Sequence, residues 1–321
     1  MLQNSDNKPL QEQLLIQFLQ NHDEHRIGCV SLSRKWDYFY FVPLADVFYG
    51  DPKFGLHQVK SMKDWFKVVE ADHPAFNSVN PTWIDAVNTA LQNSVPNSQL
   101  LFLDVGLFVG MVSLHANKHL HPGKTTFICV EPNPANEVIA RLNLGMNGVE
   151  ATVVSAACSD EDGEASFWVP KGVLISGRIS TRADRHTYTV QTRRIDSLLK
   201  GLNPSFDNAV IKIDTEGAEW SVLRGIDPAT MAKTLAIVLE YWPTESLEYE
   251  RYLIENFRVF NLKSAMFSSR LPYEEFESAS SLAQVAEDKI QSHQNFDVLL
   301  VPRVGRSKAH QELCRVIKSE G

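Results

Sequence analysis

Residues 100–110, LLFLDVGLFVG, followed by residues 127–134, FICVEPNP, decide the fold. Residues 100–105 form a short apolar run of the length of a buried strand, with Asp104 near its end. Gly106 and Gly110 then bracket a turn into the amphipathic residues 111–120. Gly106 lets backbone approach a ligand, since it has no side chain and tolerates positive φ; Gly110 lets the start of the helix pack closely. Glycines also close many strand-to-helix turns for steric reasons alone, so the second stretch carries the weight. Residues 125–131, TTFICVE, read as a strand ending in an acid, and Pro132-Asn133-Pro134 opens a helix, with Asn133 as its cap and Pro134 in its first turn. A carboxylate at that strand tip can accept both hydroxyl protons of a nucleoside ribose. Glu131 would equally favour the positive end of the following helix, and the two roles are compatible.

From residue 99 onward, strand and helix patterns alternate. A helix is expected over 134–146, a strand over 151–157, a loop over 159–163 and a strand pair from 166–169 and 187–191. Further strands are expected over 209–214, 235–241, 257–262 and 296–301, with helices over 218–224 and 245–256. This alternation implies a mostly parallel sheet covered on both faces, with ligands at the carboxyl ends of its strands. Earlier in the chain, residues 10–19 and 80–93 read as helices and residues 29–42 as a strand pair. That leader is suited either to covering an active site or to self-association.

Composition narrows the function. Hydrophobic residues make up 44% of the 321, enough for a large core, and the net charge of −8 with no basic run argues against a nucleic-acid partner. Cys29, Cys129, Cys158 and Cys314 are far apart with no CxxC pair, so reduced thiols in a cytoplasmic protein are expected. The first residues lack the basic and apolar regions of a secretory signal, and residues 100–116 are too short and too interrupted to span a membrane. His115 and His119 have the helical spacing of a metal pair but no acidic companion, so no metal is expected.

Six stretches in order resemble the FkbM family of S-adenosylmethionine-dependent methyltransferases over residues 99–301. They are LDVGLFVG (103–110), VEPNPANEVIARLNLGMNG (130–148), ATVVSAACSDEDGEASF (151–167), RRIDSLL (193–199), VIKIDTEGAEWSVLRG (210–225) and IVLEYWP (237–243). The resemblance implies an α/β class I methyltransferase (Rossmann-like) fold, with a seven-stranded, mostly parallel sheet whose last strand is antiparallel. It divides the chain into an N-terminal extension, 1–97, an S-adenosylmethionine-binding domain, 98–303, and a C-terminal tail, 304–321. It implies that Asp104, Val105, Gly106 and Gly110 hold the methionine part of the cofactor. Glu131 would hold the ribose, with Pro132, Asn133 and Ala157 framing adenine. Asp214, Glu216 and Glu240 are the implied catalytic carboxylates. One departure stands out: family members usually carry a small residue and then asparagine after the first glycine, where this chain has Leu107 and Phe108.

Methyl transfer is an in-line displacement, and an alcohol acceptor needs a base for its proton. Asp214 and Glu216, two residues apart at a strand end, suit that work; capping of the next helix is their plainer role. His186 and Tyr188 are alternative bases in the insert after the third strand, and Tyr241 and Trp242 would wall the acceptor. The leading expectation is O-methylation of a small natural product or sugar by a cytoplasmic enzyme, with a homodimer formed through the extension. The alternatives are N-methylation of a peptide or amide nitrogen, a nicotinamide-dependent oxidoreductase, and a binding protein that has lost catalysis. The turn lacks the third glycine of the dinucleotide fingerprint, which counts against the oxidoreductase.

Overall fold

The computed structural model describes residues 30–35, 38–43, 82–120, 123–169, 177–179, 187–241, 247–262, 272–291, 296–304 and 307–319. Its centre is the run that opened the sequence reading. Strand β3 (Leu100–Val105) has every side chain buried, as do β10 (Asn208–Ile213) and β11 (Thr234–Glu240). Continuous burial is what a parallel strand covered on both faces requires. Alternate residues serve opposite layers: Leu101, Leu103 and Val105 join one core, and Leu100 and Phe102 the other.

The main sheet runs in the order β13 (Glu274–Phe276), β12 (Phe257–Asn261), β14 (Asp297–Pro302), β11, β10, β3, β4 (Thr125–Val130), β5 (Ala151–Val154). From β11 to β5 neighbouring strands are parallel, while β14 is antiparallel to both β11 and β12. The expected antiparallel last strand is therefore present, but the sheet has eight strands instead of seven. The eighth, β13, adds three residues antiparallel to β12 at the edge.

One core layer holds α4 (Ile195–Leu202), α5 (Glu219–Arg224), α6 (Pro228–Lys233), α7 (Glu248–Asn256) and α8 (Ala279–Gln291). The other holds α1 (Thr82–Ser94), α2 (Met111–His119) and α9 (Lys308–Lys318). Helices α1 and α9, from either side of residues 98–303, thus meet on the same sheet face. His310 of α9 lies buried with its ring nitrogen Nε2 2.8 Å from the carbonyl of Thr234. Helix α3 (Pro134–Met146) starts where expected, with Asn133 Oδ1 accepting the amide of Ala135 at 3.1 Å.

The expected strand over 151–157 divides. Strand β5 ends at Val154, and β6 (Ala157–Cys158) enters a second, four-stranded sheet in the order β6, β9 (Thr187–Arg193), β7 (Gly163–Trp168), β8 (Arg178–Ile179). The expected strand pair is the antiparallel β7–β9 ladder of that sheet. In the leader, β1 (Val30–Lys35) pairs antiparallel with β2 (Tyr38–Pro43), as expected for residues 29–42. The helix expected over 10–19 lies outside the described residues. No described helix is long and apolar enough to cross a membrane.

Candidate active site

A crevice opens at the carboxyl ends of β3, β4, β10 and β11. It is an open cleft lined by residues from all four strand ends and from the second sheet. The turn after β3 forms one wall. Gly106 (φ +79°) packs so tightly that a Cβ would fall 1.7 Å from the carbonyl oxygen of Asp214, so only glycine fits. The amides of Gly106 and Leu107 both donate to the Val130 carbonyl, at 3.0 and 3.1 Å, tying the turn to the tip of β4. At Gly110 a Cβ would meet Leu144 and Ala140 of α3 only at ordinary contact distance, so the backbone angle of φ +87° and not close packing calls for glycine.

Glu131 stands at that tip, 4% exposed. Its Oε2 accepts the Phe108 amide at 2.7 Å, and its Oε1 accepts the Asn133 amide at 2.9 Å and Asn136 Nδ2 at 3.3 Å. Burial pushes its carboxyl up to about 7, against the pull of these donors. The neighbouring lining is apolar: Val130, Pro132, Ala156, Ala157 and, from the second sheet, Phe167 and Ile179.

The other end is acidic. Asp214, Glu216 and Glu240 bring carboxylate oxygens within 4.8 Å of one another, hard donors of the kind that share protons or hold divalent cations. Burial first, then the charges of Asp214 and Glu219, raises the Glu216 carboxyl to about 7. Burial, followed by Asp214 and Glu216, raises that of Glu240 to about 10. The loop carrying Glu216 (φ +57°) is held by Glu219, whose carboxylate accepts the amides of Thr215 and Gly217 at 2.9 and 3.1 Å. Helix α5 has no side-chain cap, so neither Asp214 nor Glu216 serves as one.

Lys212 sits beneath this end, 2% exposed, and also lines the crevice. Its Nζ is 3.3 Å from Asp104 Oδ1 and 3.3 Å from Asp214 Oδ2, and it donates to the Gly106 carbonyl. Burial alone would lower its pKa, but the carboxylates of Asp214 and Asp104 outweigh that and hold it above the ordinary lysine value.

Of the residues singled out in the sequence, Val105, Gly106, Glu131, Pro132, Ala157, Asp214, Glu216 and Glu240 all line the crevice. Asp104 lies one layer behind, fully buried, with Ser113 Oγ donating to it at 2.6 Å. Gly110 and Asn133 shape the turn and the α3 cap without lining the crevice. Tyr188 stands behind Phe167, ring centroids 5.6 Å apart, with its hydroxyl buried and lacking a hydrogen-bond partner among the described residues. Tyr241 faces away, donating its hydroxyl to Glu250 in the core. His186 and Trp242 lie outside the described residues. His119 Nδ1 is 2.8 Å from Asp85, and its ring stacks on that of buried His115 at 4.2 Å. Lys212, Glu219, Thr215 and Asp297 were not singled out. For Lys212 the signal was present: a lone cation inside the buried run AVIKI.

The family model of the methyltransferase FkbM domain matches residues 104–260, a span that begins at the buried Asp104 and takes in both ends of the crevice. That match to the FkbM methyltransferase domain covers just under half of the chain. S-adenosylmethionine is the methyl donor of that family. Among solved structures, the chain is similar to an FkbM methyltransferase from Methylobacillus flagellatus KT (15% identity, 64% of this chain and 44% of that chain, TM-score 0.38). It is similar to a SAM-dependent methyltransferase from Agrobacterium tumefaciens (8%, 86% and 71%, TM-score 0.38). A third is the precorrin-6y C5,15-methyltransferase from Geobacter metallireducens GS-15 (12%, 68% and 86%, TM-score 0.34). The chain thus spans under half the length of the Methylobacillus protein. No curated protein matches it.

The FkbM donor fits the residues present. Glu131 is a preformed double acceptor, its carboxylate already oriented by three N–H groups, and the apolar surface beside it suits a purine. Leu107 and Phe108 line the crevice without closing it.

Proposed function

We propose that this chain is an S-adenosylmethionine-dependent O-methyltransferase acting on a hydroxyl of a small natural product or sugar, with residues 98–303 as its donor-binding domain. The observation that carries the reading is the meeting, in one crevice, of a buried double acceptor at β4 and a proton-sharing carboxylate cluster at β10 and β11. Glu131 would hold the ribose hydroxyls, with Pro132 and Ala157 against the adenine. When bound, the donor supplies an electrophilic methyl group on a sulfonium.

Glu216 is the base of this reading. Its carboxyl, raised to about 7, is half ionised near neutral pH, where a general base is most effective. It takes the acceptor's hydroxyl proton as the new carbon–oxygen bond forms. Glu240, neutral at that pH, donates a hydrogen bond and orients the acceptor. Asp214, paired with Lys212, fixes the position of both. The buried thiols of Cys129 and Cys158 suit the reducing cytoplasm proposed for the protein.

Calorimetric titration of the full chain with S-adenosylmethionine, S-adenosylhomocysteine and NAD tests the donor. Saturable binding of the first two alone supports the reading, and binding of NAD alone overturns it. Transfer of labelled methyl to hydroxyl, amine and amide acceptors then separates oxygen from nitrogen as the methylated atom.

A further inference from the structure

Three consecutive features of the crevice turn differ in kind. Gly106 and Gly110 take positive φ without strain, but Phe108 between them sits at φ +52°. A left-handed backbone strains a residue with a Cβ, and glycine at this position would avoid that strain. Strain of this sort persists where surrounding structure imposes it, and it collects at ligand clamps. The backbone shape has its own explanation, since it aims the Phe108 amide at Glu131 Oε2, 2.7 Å away. That bond needs no particular side chain. The phenyl ring therefore calls for a separate cause.

The ring is half-buried and lines the crevice. The turn that carries it runs from Asp214, against whose carbonyl Gly106 packs, to Glu131, to which the Phe108 amide is bonded. The turn that carries Phe108 thus bridges the span between the double acceptor and the carboxylate cluster, and Phe108 lines the crevice with both. On the reading proposed above, on which this inference rests, that span holds the sulfonium. An aromatic face attracts a cation, and most strongly where water is excluded.

We propose that Phe108 is a specificity determinant for the methyl donor. Its ring favours the positively charged sulfonium of S-adenosylmethionine over the neutral thioether of S-adenosylhomocysteine, so the spent product binds less tightly than the donor it came from. The two ligands differ by one methyl and one charge, and the change in the ratio of their dissociation constants when the ring is removed isolates the ring's charge preference from that of the nearby carboxylates.

The test is calorimetry of both ligands with the full wild-type chain and with F108L, F108Y and F108N, each variant first melted to verify folding. F108L keeps apolar bulk and backbone strain but loses the π face. F108N loses the face while suiting the left-handed backbone, so the two variants bracket any effect of stability. The preference for S-adenosylmethionine should narrow about fivefold in F108L and F108N and persist in F108Y. Equal weakening of both ligands, or an unchanged ratio, would overturn the inference while leaving the methyltransferase reading intact. If the wild type binds neither ligand, that reading falls and this inference with it.

Discussion

The two ends of the crevice hold buried carboxylates under opposite conditions. Glu131 is surrounded by three N–H donors and faces no second acid within its hydrogen-bonded set. At the other end Asp214, Glu216 and Glu240 crowd together; Lys212 is already shared by Asp104, Asp214 and the Gly106 carbonyl, and the pull of Arg178 and Lys212 on Glu216 does not offset burial and the neighbouring acids. On the function proposed above, the first end is a receptor for hydroxyl protons. The second is short of positive charge, so it holds protons that chemistry can move. On that same function, binding and catalysis are divided between two carboxylate environments that lie on either side of β3.

If that division holds, substitutions at the two ends fail differently. Glu216→Gln should lower turnover about 10²–10⁴-fold, the worth of a general base, while S-adenosylhomocysteine affinity measured by calorimetry stays as in the wild type. A fully active Glu216→Gln would remove the base from this position and break the comparison at its acidic end. Lys212→Met should act on folding, because it strands Asp104, which is 0% exposed, without its cation. Urea unfolding should show a loss of about 3–5 kcal/mol. A much smaller loss would mean that Ser113 alone satisfies Asp104. Glu131→Ala should weaken donor binding by about 1–3 kcal/mol with the fold retained; unchanged affinity would end the ribose assignment.

The same contrast explains what could be read from sequence. The apolar runs over β3, β10 and β11 were legible because parallel strands are buried on both faces and so stay hydrophobic without interruption. Glu131 was legible because an acid directly after such a run must sit at a strand tip. Strand β13, three residues with two acids, has no pattern of its own and exists through its pairing with β12. The run ATVVSAA concealed a change of sheet, since β-propensity carries no information on which neighbour a strand joins. Lys212 could be noticed as a charge in a buried run, but its partner Asp104 lies 108 residues earlier in the chain, and only the β3–β10 register sets Lys212 beside it. Tyr241 shows the limit of reading a strand tip as a list: successive side chains point to opposite faces, so Glu240 in the crevice puts Tyr241 in the core with Glu250.

The smallest expected effect is also the sharpest test of the receptor end. Glu131 must be ionised to accept two hydroxyl protons, and burial has raised its carboxyl to about 7. Donor affinity should therefore be full above that value and fall as pH drops through it, by about tenfold between pH 8 and pH 6 if only the ionised form binds. Stability of the ligand-free chain should run the other way. A carboxyl raised in the folded state binds more protons folded than unfolded, so its stabilising contribution is complete below the ordinary glutamate value near 4.5 and is lost as pH rises toward 7. Calorimetry and thermal melting over the same pH series should give slopes of opposite sign. Glu131→Ala should flatten the binding slope but leave the part of the melting slope that belongs to Glu216 and Glu240. If both slopes survive that substitution, the proton that controls binding sits at the acidic end, and the division between receptor and proton store is not the one drawn from the geometry.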